Sequence, residues 1–201
     1  FAQTFRKYVV KSGVKSCFCL DMPVYLPGQL KPITIMIQRK GSNFYSCQAG
    51  ALKVLYEVEK NGAYPGMELK KQLSESDLSA VDRGFATELV YGVIKNRTRL
   101  DYIISKYSKQ KLKKISDWII NILRMGVYQI VLLDKIPLSA AVNESVKLAK
   151  RYGHQASSGF VNGVLRNISR GLSEITYPDE EKQPIEALSV RYSMPQWIVE
   201  Q

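Results

Sequence analysis

Eight cations crowd into twenty residues of this chain: Lys95, Arg97, Arg99, Lys106, Lys109, Lys111, Lys113 and Lys114. Tyr102 and Tyr107 lie among them, and Lys150 with Arg151 forms a second basic pair. Lysine and arginine bind phosphate oxygens, arginine through a two-pronged fork. Tyrosine rings stack on unpaired bases. The pattern is that of a nucleic-acid contact that grips the backbone without reading sequence. A solvated helical surface carries the same lysines. Tyr107 falls on an apolar helix face and reads as core rather than as a stacking ring.

No catalytic constellation accompanies this run. His154 stands at a helix end beside Lys150 and Arg151, with no nucleophile in a matching motif, and reads as a surface or capping residue. Glu88 and Glu144 sit on different helices and do not make an acid–base pair by spacing. Cys17, Cys19 and Cys47 are an odd and low count, which argues against a disulfide framework. Cys17 and Cys19 flank Phe18, but one histidine and no second cysteine pair leave a tetrahedral metal site incomplete, so no metal is expected. No glycine-rich loop follows a strand, so no nucleotide or cofactor site is expected in this chain.

The charge distribution supports the same reading. The 201 residues carry a net charge of +11. Residues 1–46 contribute +6, 47–94 contribute −2, 95–170 contribute +11 and 171–201 contribute −4. Positive charge is therefore concentrated in one segment, which suits a polyanion. Apolar residues make up 45%, enough for a packed core. No window reaches the roughly 18 apolar residues of a membrane span. No basic start leads into an apolar run and a cleavage site, so a cytoplasmic protein is expected.

The elements that must hold these residues are helices. An apolar stripe starts at Ala49, includes Leu52 and Leu55, and ends at Asn61 and Gly62. A shorter helix covers Met67 to Leu73. Ser79 and Asp82 have capping-box spacing and open a helix with Phe85, Leu89, Val90 and Val93 on one face. Leu100, Ile103, Ile104 and Tyr107 mark the next. Ser116 is the expected cap of the most apolar helix, Asp117 to Leu133, the centre of the bundle. Pro137 opens a helix to Tyr152, and Ser157 or Ser158 opens another to Gly171. Residues 172–184 read as a linker, and a short helix follows from Ile185 to Tyr192. A new unit then begins at Ser193 and is cut off at Gln201. Residues 1–46 remain unassigned: a short strand at Ile33–Ile37 within an extension, or upstream sequence before a start at Met36. The expected fold class is all-α, a helical bundle over 47–171.

Three motifs in this order resemble a known family. They are Asp82-Arg-Gly-Phe-Ala-Thr-Glu-Leu-Val-Tyr-Gly-Val93, Asp134-Lys-Ile-Pro-Leu-Ser-Ala-Ala-Val-Asn-Glu-Ser-Val-Lys-Leu-Ala149 and Phe160-Val-Asn-Gly-Val-Leu-Arg166. Together they resemble the NusB-like domain, an all-helical RNA-binding fold, over about 49–170. The resemblance implies RNA as the partner. In stand-alone antitermination factors of this family a ribosomal protein binds as well.

The basic stretch from Tyr91 to Ile103 and the segment Ser189-Val-Arg-Tyr-Ser-Met-Pro-Gln-Trp197 resemble the RsmB-type methyltransferases instead. These enzymes place the domain before a catalytic domain that makes 5-methylcytosine in small-subunit ribosomal RNA. The likeness implies that 185–201 begins the methyltransferase part and that the catalytic domain is absent from this chain. S-adenosylmethionine and the two catalytic cysteines would then belong to the rest of the enzyme. Cys17, Cys19 and Cys47 match no such motif. At the start of the domain, Gly50 departs from the family pattern and weakens the first helical turn by about 1 kcal/mol relative to alanine.

Overall fold

The computed structural model describes residues 44–133 and 136–200, so the strand reading at Ile33–Ile37 and the pair Cys17 and Cys19 lie outside the described residues. Among the described residues the fold is all-α. Seven helices of ten or more residues form the bundle: α1 Phe44–Asn61, α2 Pro65–Ser74, α3 Ala80–Lys95, α4 Arg97–Tyr107, α5 Asp117–Val131, α6 Leu138–Tyr152 and α7 Gln155–Arg170. Two short 3-10 turns, Leu112–Lys114 and Leu172–Glu174, follow α4 and α7. Two further helices, α8 Pro184–Tyr192 and the single turn α9 Gln196–Val199, close the described chain.

Helix α5 is the centre because its sequence is apolar on every side. All residues from Ile119 to Ile130 are buried, and the helix packs against α1, α3, α4, α6 and α7. A helix without a wet face must be surrounded. Polar groups in that position need partners. Gln129 Nε2 donates to Met125 O at 3.0 Å, and Gln48 Nε2 of α1 donates to Gln129 Oε1 at 3.1 Å. This amide pair ties α1 to α5 without a charge.

The caps differ in detail from the sequence reading. Helix α1 begins at Phe44 rather than Ala49, and Phe44 stacks on Phe85 with centroids 5.1 Å apart. Gly62, at φ 64°, takes up the left-handed turn that ends α1. Ser79 Oγ accepts from the Asp82 N–H at 3.2 Å, as a cap should. The Asp82 carboxylate, however, accepts the Ser79 hydroxyl at 2.8 Å instead of returning to the backbone. Ser116 occupies the cap position of α5 without a side-chain cap bond. Helix α7 starts at Gln155, earlier than the serines suggested, with His154 as its cap residue and the His154 N–H donating to Ser157 Oγ at 3.4 Å.

Helices α3 and α5 cross where Gly92 faces Tyr128. A Cβ on Gly92 would lie 2.1 Å from Tyr128 Cζ. The ring has little freedom to move: it is buried, and its hydroxyl donates to Glu88 Oε1 at 2.6 Å. Gly92→Ala is therefore expected to cost about 1–3 kcal/mol by overpacking. Gly163→Ala, on α7 with open space at the new Cβ, is expected to gain up to ~1 kcal/mol from helix propensity. Urea unfolding of the two variants checks both signs.

Candidate nucleic-acid interface

The first constraint on the basic surface is a buried charge beneath it. Arg124 lies in α5 at 5% exposure. Its Nε and Nη2 donate to the two oxygens of Asp101 on α4 at 2.7 and 2.9 Å. Its Nη1 donates to Glu59 Oε2 on α1 at 2.7 Å and to Asn121 Oδ1 at 3.2 Å. Asn121 Nδ2 donates to the same Glu59 oxygen at 2.9 Å. Burial works against the guanidinium charge, but the Asp101 and Glu59 carboxylates outweigh it and hold the pKa above its ordinary value. Three helices thus meet at one planar fork.

Arg97 caps this network from outside. Its Nη2 donates to Glu59 Oε1 at 2.6 Å, and its Nε lies 4.0 Å from Asp101. Arg97 is therefore partly neutralised, unlike the free phosphate clamp that composition alone suggests. Next to it Lys60 pairs with Asp117 at 3.3 Å.

Aromatic rings organise the same end of the bundle. Trp118, at the start of α5, stacks on Tyr56 of α1 (centroids 3.9 Å, interplanar angle 6°) and on Tyr152 of α6 (4.9 Å, 22°). All three rings are half-buried. Arg151 lies over the Tyr152 ring at 5.7 Å. Its pKa is raised, first by a hydrogen bond with Tyr45. The stack brings Tyr152, which follows Lys150 and Arg151 in α6, to the start of α5, which the basic 3-10 turn precedes in the chain. Lys95, Lys109, Lys111, Lys113, Lys114 and Lys150 are exposed.

Arg99, Tyr102, Lys106 and Tyr107 make contacts within the chain. Arg99 Nε and Nη2 donate to Tyr177 Oη at 3.2 and 3.0 Å, and its guanidinium lies 5.2 Å from that ring's centroid. Tyr102 stacks on Tyr177 at 6.3 Å and donates to Thr176 O at 3.3 Å. Lys106 Nζ sits 5.1 Å from the Tyr102 centroid. Tyr107 donates to Gly171 O at 3.2 Å. Thr98 and Arg99 N–H donate to Ser193 Oγ at 2.9 and 3.3 Å. Residues 171–193, read from the pattern as a linker and a short helix, are strapped along α4 and cover this side of it.

The remaining sequence candidates are structural. Glu88 holds Tyr128, whose pKa is raised by burial and then by Glu88. Glu144 pairs with Lys147 at 2.7 Å. Cys47 is buried, and burial followed by Asp82 pushes its thiol up to about 12. Among the described residues no cluster of His, Cys, Asp or Glu is able to hold a metal ion, and no helix is long and apolar enough to cross a membrane. The sequence reading missed Arg124 and Glu59; the available signal was an arginine set between Leu123 and Met125 in an otherwise apolar helix.

The bundle and its basic end define a class: a small all-helical domain with a charged flank. The NusB family profile matches residues 47–170, and the chain belongs to the NusB family. It is 39% identical over 151 residues to the probable ribosomal RNA small subunit methyltransferase B of Bacillus subtilis, covering 75% of this chain and 33% of that protein. It is 36% identical over 119 residues to the transcription antitermination protein NusB of Acetivibrio thermocellus, covering 59% of this chain and 82% of that protein. Among solved structures, T. maritima NusB superposes with TM-score 0.60 at 26% identity, covering 64% of this chain and 92% of the other. NusB from a complex of NusB and NusE with double-stranded RNA superposes with TM-score 0.59 at 26% identity, covering 63% and 96%. The chain spans about a third of the methyltransferase's length.

Two outcomes follow from the buried groups. Arg124→Ala removes the buried partner of Glu59 and Asp101, leaving them only the exposed Arg97, and is expected to destabilise the fold by about 3 kcal/mol in urea unfolding. The raised Cys47 pKa favours the folded protein fully below about pH 9, its ordinary value, and that contribution is lost as the pH rises towards about 12. At pH 8 iodoacetamide should leave Cys47 unmodified in the native chain and alkylate it in urea, as site-resolved mass spectrometry would show.

Proposed function

We propose that this chain is the RNA-docking module of an RsmB-type methyltransferase, an S-adenosylmethionine-dependent enzyme that makes 5-methylcytosine in small-subunit ribosomal RNA. The observation that carries the reading is the extent of likeness. The methyltransferase alignment runs over 151 residues and the family match over 124, so at least 27 aligned residues lie outside the family core. The alignment to the antitermination protein runs over 119 residues. A further putative methyltransferase, Rv1407 of Mycobacterium tuberculosis, is 32% identical over 155 residues.

In this reading the chain binds and the rest of the enzyme reacts. S-adenosylmethionine would supply the methyl group. Its adenosine and carboxylate call for a strand-to-helix glycine turn of the nucleotide-binding kind. The described residues are helical throughout and provide no such turn. Cys47 does not fit the attacking cysteine either, because its thiol is buried and hard to ionise. The docking surface in this reading comprises the exposed lysines of 109–114 with Lys150, Arg151 and Lys95, and Arg151 adjoins the Tyr56–Trp118–Tyr152 stack at Tyr152. Lysines there hold phosphates by charge, and the edges of half-buried rings offer a place for an unpaired base. Arg97 and Arg99 contribute less, since Glu59 neutralises one and Tyr177 holds the other.

The second reading is a free antitermination-type factor, favoured by the 82% of the Acetivibrio NusB that the chain covers. It would bind a short defined RNA together with a ribosomal protein. Ribosomal RNA binding without that protein favours the first reading; a strict need for it favours the second.

Salt dependence tests the surface itself. Binding of single-stranded ribosomal RNA, followed by fluorescence anisotropy, should weaken steeply with salt. Lys111→Ala/Lys113→Ala/Lys114→Ala should reduce the log–log slope by about 2, at roughly 0.7 per lost contact. An unchanged slope removes this turn from the interface.

A further inference from the structure

Arg99, Tyr102 and Lys106 stand three and then four residues apart on α4, so the helix lines them up on one stripe. A cation, a ring and a second cation in a row suit a single-stranded polyanion. The cations take phosphates and the ring takes a base. In this structure the stripe is occupied by the chain itself, through residues 172–183 between α7 and α8.

That strap meets the stripe much as a nucleotide strand would. Tyr177 stacks on Tyr102, with centroids 6.3 Å apart and rings 19° from parallel, in the place of a base. The Arg99 guanidinium lies 5.2 Å from the Tyr177 centroid, and its Nε and Nη2 donate to the Tyr177 hydroxyl at 3.2 and 3.0 Å. The fork that would clamp a phosphate is thereby engaged. The Tyr102 hydroxyl donates to Thr176 O at 3.3 Å. The sign of the charge matches too: the strap holds Glu174, Asp179, Glu180 and Glu181 against the single Lys182.

The strap is fixed at its ends and lightly held between them. At one end Tyr107 donates to Gly171 O at 3.2 Å. At the other, α8 buries Ala187, Ser189 and Val190. Between these anchors Asp179 pairs with Lys182 and Glu180 with Arg191. No ion pair among the described residues joins the strap to α4. The middle rests on the partly buried Ile175, the Tyr177 ring and the hydroxyl bonds just given. Contacts of this size open locally while the bundle stays folded.

We propose that residues 172–183 are a displaceable mask over a single-stranded RNA site formed by Arg99, Tyr102 and Lys106, and that RNA held by the lysines of 109–114 extends onto this stripe when the strap lifts. The proposal rests on the RNA reading of the lysine surface and adds regulation to it. The chain carries its own competitor, so the fraction of chains with the strap lifted sets the apparent affinity.

Fluorescence anisotropy of the full chain with a short single-stranded RNA tests the mask. Tyr177→Ala removes the ring that covers Tyr102 and should tighten binding about fivefold, the scale of one ring contact shared with a cation. Adding Arg99→Ala/Lys106→Ala to that variant should abolish the gain. Circular dichroism verifies that each variant stays folded. Hydrogen exchange on the unaltered chain gives a second readout: saturating RNA should speed the exchange of amides 174–182, whereas a strap that only braces the fold would slow or keep its rate. Unchanged or weaker binding by Tyr177→Ala overturns the proposal, as does slowed or unchanged exchange in the strap. If Lys111→Ala/Lys113→Ala/Lys114→Ala weakens RNA binding and Tyr177→Ala leaves it as it was, the mask falls and the lysine surface stands. Absence of RNA binding in every one of these chains removes both.

Discussion

Arg124 puts a guanidinium in the middle of twelve consecutive buried residues, and the bundle is arranged around satisfying it. A charge removed from water at this depth is tolerable only with matched partners in fixed geometry. Asp101 and Glu59 supply them from α4 and α1, and Asn121 fills the remaining angle. The angles at which α1 and α4 cross α5 must therefore bring two carboxylates to one plane. Apolar packing alone tolerates more sliding than that. The fork is a device for register as well as a site of cohesion.

The functional surface inherits its layout from this arrangement. Glu59 bonds Arg124 inward and Arg97 outward, so the buried network reaches the solvent through one carboxylate. Beside it the Tyr56–Trp118–Tyr152 stack fixes the ends of α1, α5 and α6 together. Rings pack closely at low entropic cost. The exposed lysines of 109–114 carry no such fixed partners among the described ion pairs. Under the proposed RNA reading, fixed rings and long cationic side chains divide the work of placing a polyanion.

Helix periodicity made most of this legible in sequence. The apolar stripes gave α2 to α8 to within a few residues, and the all-round apolar character of α5 marked the centre. Residues whose meaning depends on distant partners were not legible. Arg124 meets Asp101 and Glu59 from 23 and 65 positions away, and no local pattern announces such a pairing. Counting cations set Arg97 and Arg99 beside the lysines, because composition does not show that Glu59 pairs with the one or that the Tyr177 hydroxyl holds the other. The stretch after Gly171 lost its period and read as a linker. Single tyrosine hydroxyls and one arginine–tyrosine stack hold it, and such contacts have no repeat to detect. Helix α7 starts before the Ser157 or Ser158 that the pattern suggests because His154, which carries no hydroxyl, occupies its cap position.

Ser193 carries a consequence of its own. It is the single non-glycine residue with positive φ among the described residues, and its hydroxyl serves the opening N–H groups of α4, 94 and 95 positions earlier. A helix usually finds its cap in the preceding residue; α4 borrows one from beyond the end of the family core. In this chain the opening turn of α4 therefore depends on a residue 23 positions past the end of the family core, so removing the residues after 170 would leave those two N–H groups to water.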